Sequence, residues 1–142
     1  MINYPLNFKA RTKSPAGMQS AWKSGPGGEE MVCAVPAEFE GPGGGFSPED
    51  LYLGALSNCF VATFKVYAEH SKLQFEEVEV ESSLVVDLDD RKRPVMKEAE
   101  FLVKIRGASN VDRARLLAKK ASESGFVLNS VKSTLKFSFE IS

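Results

Sequence analysis

The chain has 142 residues, a hydrophobic share of 43%, and 18 basic against 19 acidic side chains, for a formal net charge of −1. That length and apolar content predict one domain, residues 1–142, with a sizeable core. The balanced charge argues against nucleic acid or an anionic membrane as the main partner. Two cysteines far apart in the chain make no disulfide framework. The opening stretch, MINYPLNFKA, lacks the charged-then-apolar layout of a secretory signal. Both features point to a cytoplasmic protein with free thiols.

Leu6 to Lys13, LNFKARTK, alternates as a strand, and Ser14-Pro15-Ala16-Gly17 is a turn signal. Met18 to Lys23 is expected to return as its hairpin partner. Ser24 to Gly28 is a second turn, and Glu30 to Val35 a third strand that carries Cys33. Glu40 to Phe46, EGPGGGF, is a glycine-rich loop ahead of a helix. A phosphate-binding reading fails here. The P-loop pattern needs a Lys-Ser/Thr pair after the last glycine, and the dinucleotide spacing is missing as well. Glu49 and Asp50 would also repel an anion at this helix start. A flexible lead-in loop is the expectation.

Ser47 to His70, SPEDLYLGALSNCFVATFKVYAEH, is the stretch around which the chain is organised. Ser47 suits an N-cap, Pro48 the first helical position, and Asp50 closes an acidic capping box. The residues that follow are apolar on nearly every face, so the helix is expected to be buried all round. Gly54, Ser57, Asn58, Thr63 and Lys65 interrupt the apolar run, and a membrane span needs about 20 mostly apolar residues. At about 1.5 Å per residue the helix is roughly 36 Å long, more than a small core needs. A second subunit is expected to help cover it. Cys59 sits mid-helix. His70, the only histidine, ends the helix near its negative pole, with no metal-ligand cluster around it.

Beyond Ser71 to Phe75, Val78, Val80, Ser82, Leu84 and Val86 alternate with Glu77, Glu79, Glu81 and Ser83, as in a strand with one wet face. Asp87 to Pro94 is a charged turn. Val95 to Arg106 returns as a second strand with Ala99, Phe101, Val103 and Ile105 on one face. Asn110 can N-cap a helix running to about Ser124, with Val111, Ala114, Leu117, Ala118 and Ala121 on its buried side. Gly125 follows where helices often end, and Val127 to Val131 is expected as a short turn before Thr134 to Ile141, a last alternating strand. The order β-β-β-α-β-β-α-β predicts an α+β fold: largely antiparallel sheets around a long central helix, with the helices on one face.

Ser47-Pro48-Glu49-Asp50-Leu51, followed by Ala55-Leu56-Ser57-Asn58-Cys59-Phe60, resembles the N-P-E-E/Q-L lead-in and A-x-x-x-C-F segment of the OsmC/Ohr family. These are the osmotically inducible and organic hydroperoxide resistance proteins. Phe39-Glu40-Gly41 is similar to an F-E-G ahead of that lead-in in some members. The resemblance extends along essentially the whole chain through the element order. It implies an OsmC-like fold assembled as an intertwined homodimer. It also implies thiol chemistry without a cofactor. The helix cysteine, here Cys59, reduces a small organic hydroperoxide, a second cysteine resolves the sulfenic acid, and dithiol reductants restore the enzyme. The family's lead-in glutamate falls on Glu49. Two positions depart from the pattern. The second cysteine opens a C-P-x-S segment after the second helix, where this chain has Ser124-Gly125-Phe126-Val127, so Gly125 takes its place. The family arginine aligns with Met18 or Gln19, or else with Glu38, while Arg11 is the only arginine before the helix.

A peroxidase thiol must react as thiolate. Cys59 lies too deep in the helix for the N-terminal dipole to help, so a cation, Arg11 or a lysine such as Lys9, is required beside it. Along one helix Glu49 and Cys59 would be roughly 15 Å apart, so a Glu49 acting at this thiol belongs to a partner subunit or to a lead-in folded back. With Gly125 in the second-cysteine place, Cys33 resolves the sulfenic acid if its Cα lies within about 7 Å of that of Cys59, and without any partner thiol an external thiol reductant clears it. Three readings stand together: a thiol peroxidase with Cys59, Glu49 and Arg11 at its site, a non-catalytic OsmC-fold dimer holding a small apolar ligand in the same pocket, and a purely structural dimer. Phe46, Phe60 and Phe64 are the expected pocket lining.

Overall fold

The structure, a computed structural model, describes residues 3–26 and 29–142. It divides into two compact units, Met1–Leu51 and Tyr52–Ser142.

The first unit holds three short antiparallel strands, β1 (Arg11–Lys13), β2 (Trp22–Gly25) and β3 (Met31–Cys33), in the order β1-β2-β3. The hairpin expected from the sequence is present but much shorter. Leu6 and Phe8 alternate as strand residues do, yet they are exposed, Phe8 to 89%, and have no core to face. The return strand starts at Trp22 rather than Met18 because the preceding segment closes a turn. Ser20 N–H donates to Gly17 O at 3.1 Å and Ser20 Oγ to Ala16 O at 3.0 Å, with Gly17 at φ +99°. The glycine-rich loop is also not free. Gly41 N–H donates to Pro36 O, Gly43 N–H to Val35 O and Phe46 N–H to Val32 O, at 2.9–3.1 Å. The loop thus folds back along β3, and Ala34 N–H closes on Phe46 O at 3.1 Å. The capping box forms as expected: Ser47 N–H donates to Asp50 Oδ2 and Asp50 N–H to Ser47 Oγ, both at 3.0 Å. It opens helix α1 (Pro48–His70).

The second unit is built on one sheet in the order β4-β5-β6: β4 (Glu77–Leu88), β5 (Pro94–Arg106) and β6 (Thr134–Ile141). The β4–β5 hairpin is antiparallel, with a register shift at Val85/Val86, and its turn is tied by Asp89, which accepts from the backbone N–H groups of Arg91 and Arg93. The pairing is largely antiparallel, as expected, and the last strand is the exception. β6 runs parallel to β5 because the chain reaches it through helix α2 (Val111–Ser124), and such a crossover returns a strand in its original direction. The unit's sheet is therefore mixed. Asn110 caps α2 by accepting from Arg113 N–H at 3.0 Å.

Only one face of this sheet is dry. Ala99, Phe101, Val103 and Ile105 of β5 are fully buried among Leu135, Phe137, Phe139 and Ile141 of β6, and both helices pack on that side. Phe101 and Phe137 stack at 4.6 Å and Phe60 and Phe64 at 6.0 Å between ring centroids. The opposite face carries ion pairs, Lys104–Glu81 and Arg106–Glu79 at 3.0 Å and Lys136–Glu98 at 2.6 Å. These pairs are exposed and add little stability each. In α1, only Leu56, Phe60, Phe64 and Ala68 are fully buried, a stripe with a spacing of four residues. The expectation of burial on every side is thus not met within one chain: Ala55, Ala62 and Val66 are exposed, Val66 to 50%.

Candidate functional site

Cys59 lies half-buried on α1, in the second unit, and its thiol is free. Four and eight residues on, Thr63 and Tyr67 share its stripe of the helix. This stripe meets the end of α2. Tyr67 Oη and Ser124 Oγ are 2.6 Å apart, and Lys120 Nζ sits 4.6 Å from the centre of the Tyr67 ring, a cation–π geometry. Immediately after Ser124 comes Gly125, which is buried and lies directly against the Cys59 thiol. A Cβ at residue 125 would stand 2.6 Å from Cys59 Sγ. The sequence reading placed Gly125 at the family's second-cysteine position by motif alone, and the fold brings the same residue to the same sulfur.

The helix end at Gly125 is of a different kind from the one its sequence suggests. Its φ of −67° and ψ of 138° are extended, so no left-handed cap requires glycine here. The chain continues into a 3-10 turn at Leu128–Ser130. Leu128 is buried in the core and Phe126 and Val127 are exposed.

The other expected site residues belong to the first unit. Glu49 is in the first turn of α1, and its Oε2 is enclosed with no hydrogen-bond partner among the described residues. A buried carboxylate oxygen without a donor is costly. Arg11 is exposed on β1. With Lys13, Trp22, Lys23 and Glu30 it lines an open depression of about 560 Å³, and it forms no ion pair among the described residues. Cys33 is fully buried in β3 as a free thiol, its Sγ 3.8 Å from Met31 O. Of the expected pocket lining, Phe60 and Phe64 are wholly enclosed core residues and Phe46 is 51% exposed. The two core rings are packed by Phe137 and Phe75, so within one chain they line no open space. Among the described residues no three His, Cys, Asp or Glu side chains are grouped as metal ligands, and no helix is long and apolar enough to cross a membrane.

The sequence reading missed Tyr67, Ser124 and Lys120. Tyr67 was open to discovery, since it recurs eight residues after Cys59 on the same helix face. Lys120 is one of several basic residues on α2 that read as a solvated helix face, and no local pattern links it to a tyrosine 53 positions earlier.

A mixed three-stranded sheet with two helices on its dry face, following a separate three-stranded meander, defines an α+β protein of the OsmC fold. Residues 41–140 match the model of the OsmC-like protein family, and the chain belongs to that family. An uncharacterized protein of Bacillus subtilis (strain 168), YmaD, is 26% identical over 113 residues, covering 77% of this chain and 75% of its own. An OsmC-like protein of unknown function from Vibrio cholerae superposes with a TM-score of 0.82 at 15% identity, over 96% of this chain and 100% of that one. An organic hydroperoxide resistance protein OsmC from Legionella pneumophila gives 0.73 at 22% identity, over 97% and 99%. The organic hydroperoxide resistance protein OhrB of Bacillus subtilis gives 0.65 at 19%, over 95% and 98%. At these identities the solved structures share the fold.

Proposed function

We propose that this protein is a thiol-dependent organic hydroperoxide reductase that works as a homodimer, with Cys59 as its nucleophile and no second cysteine in its own unit. The Cys59 thiolate attacks the outer oxygen of ROOH. The O–O bond breaks, RO⁻ leaves and takes a proton as ROH, and Cys59 is left as the sulfenic acid. An external thiol R′SH then displaces water to give a Cys59–S–S–R′ mixed disulfide. A second R′SH releases R′SSR′ and restores the thiol. The observation that carries this reading is the contact between Cys59 Sγ and residue 125. It supports the reading because Cys59 Sγ lies against residue 125, which takes the family's second-cysteine position by motif and is here a glycine with no thiol to resolve a sulfenic acid.

In this proposal Glu49 and Arg11 act as an organising pair. The enclosed Oε2 of Glu49 calls for a donor, and an arginine held by a carboxylate is a cation suited to stabilise a nearby thiolate. In this reading the pair acts on the thiol of the partner subunit. Purified protein treated with a slight excess of cumene hydroperoxide is expected to gain one oxygen by intact mass. The gain is lost in Cys59→Ser and kept in Cys33→Ser. Loss of two hydrogens requiring both cysteines would instead make Cys33 the resolving thiol, and no change over an hour refutes the peroxidase.

The second reading is a non-catalytic dimer that holds a small apolar ligand. The exposed Phe126 and Val127 beside Gly125 favour it. An apolar probe bound equally by wild type and Cys59→Ala, with no oxygen uptake at Cys59, would establish it.

A further inference from the structure

Residue 125 has no side chain, and the Cys59 sulfur fills the place where one would be. A Cβ there would be 2.6 Å from Cys59 Sγ and 3.0 Å from Leu128 Cδ1. The backbone does not demand glycine, since φ −67° and ψ 138° suit any residue. Space demands it, and the nearest occupant of that space is the thiol. Leu128, 4% exposed and locked in the core cluster, has little freedom to yield. The thiol can yield by turning about χ1. On a helix the preceding turn disfavours one of its three wells, so a side chain at 125 would leave the sulfur essentially one other place to go.

We propose that Gly125 is a positioning residue for Cys59: it seats the thiol in one rotamer against the turn after α2, and the rate at which Cys59 meets peroxide depends on that seat. The kinetic half of this proposal rests on the reading of Cys59 as the peroxide-reactive thiol. Carbon and sulfur in ordinary contact stand about 3.5–4.0 Å apart, so a methyl group at 125 drives Sγ from its seat by about 1 Å. A misplacement of that size costs on the order of 10²-fold in a reaction that needs alignment.

Gly125→Ala, Cys59→Ala and the double variant test the seat in two independent ways. The first readout is thermal stability. A Gly→Ala change in open space at a permitted φ stabilises a chain. Here it is expected to lower the melting temperature when Cys59 is present and to be milder or reversed when residue 59 is alanine. The Leu128 contact is common to both backgrounds and cancels. An equal effect in both overturns the seat. The second readout is chemical: the rate of Cys59 oxidation by cumene hydroperoxide, and the rate of Cys59 alkylation by iodoacetamide across about pH 6–10, both in a Cys33→Ser background. Oxidation is expected to slow by roughly tenfold to a hundredfold, with a displaced alkylation profile. Superimposable rates and profiles overturn the positioning role. If Cys59 takes up no oxygen even with Gly125 in place, the peroxidase reading falls, while the stability cycle and the alkylation profile still decide whether Gly125 seats the thiol.

Discussion

Gly125→Cys should convert the Cys59 thiol into half of a disulfide. Across a disulfide, an S–S bond of about 2.05 Å places one sulfur about 3 Å from the opposite Cβ. A Cβ at residue 125 would stand 2.6 Å from Cys59 Sγ, so the bridge needs a shift of only a few tenths of an ångström. The closed loop spans 125 − 59 = 66 positions, and loop-closure entropy for that length gives roughly 4 kcal/mol of stabilisation for the oxidised over the reduced variant. Opposing it is the tight approach to Leu128 Cδ1 at 3.0 Å; overpacking of this kind costs about 1–3 kcal/mol. The reduced variant should therefore be less stable than wild type, and oxidation should recover that loss or exceed it. Diamide is the oxidant to use, because it forms disulfides without any peroxidase step. Intact mass should fall by two hydrogens in a Cys33→Ser background, and the urea midpoint of the oxidised form should rise above that of the reduced one. Two thiols that remain alkylatable after diamide would refute the geometry.

Three further outcomes follow from the packing and the charges. Phe64→Ala removes a fully buried ring stacked on Phe60 and tilted against Phe75 at 5.2 Å, and should cost about 3–5 kcal/mol in chemical denaturation. Asn110→Ala deletes the side-chain bond to Arg113 N–H and should cost about 1 kcal/mol by the same assay. Asp89 is held below its ordinary value of 3.8, first by the Arg93 backbone N–H and then by the Arg93 side chain. Because its folded pKa is the lower one, its contribution to stability is present above 3.8 and disappears as pH falls through the folded value. A carboxyl titration by NMR should show the midpoint below 3.8 and a partial return toward it in Arg93→Ala, since the backbone bond survives that change.

The elements that carry their own signals were legible in the sequence. The Ser47/Asp50 box, the Asn110 cap and the alternation in β5 and β6 depend on neighbours within a few positions, and each fell where its pattern placed it. The first unit was harder to read because alternation alone does not make a strand. Leu6 and Phe8 have the right spacing but no partner strand, so β1 begins only at Arg11. Hairpin frequency foretold the largely antiparallel pairing, but the direction of β6 was left open because the α2 crossover, a global feature, decides it. At the candidate site, motif position brought Cys59 and Gly125 together before any coordinates did. The Tyr67–Ser124 contact is 57 positions apart in the chain and required the fold.

At 100° per residue, Leu56, Phe60, Phe64 and Ala68 of α1 form one buried stripe. Ala55, Ala62 and Val66, spaced by seven and then four residues, fall within about 40° of one another and roughly 160° from the centre of that stripe. The helix therefore has two apolar sides, and among the described residues of its own unit only one is covered. Small residues on the second side suit close approach of another helix, and in a twofold assembly the same stripe meets its own copy. Val66, 50% exposed in the single chain, is the position to perturb. Burying a valine contributes about 1.5–3 kcal/mol, and symmetry counts it twice, so Val66→Glu should weaken self-association on the order of 10²-fold or more. Sedimentation should show a dimer for the wild-type chain and dissociation toward monomer for the variant, with an unchanged far-ultraviolet circular dichroism spectrum. A wild-type chain that sediments as a monomer would remove the homodimer from the proposed function, whereas a Val66→Glu chain that stays dimeric would move the interface to another face of the molecule.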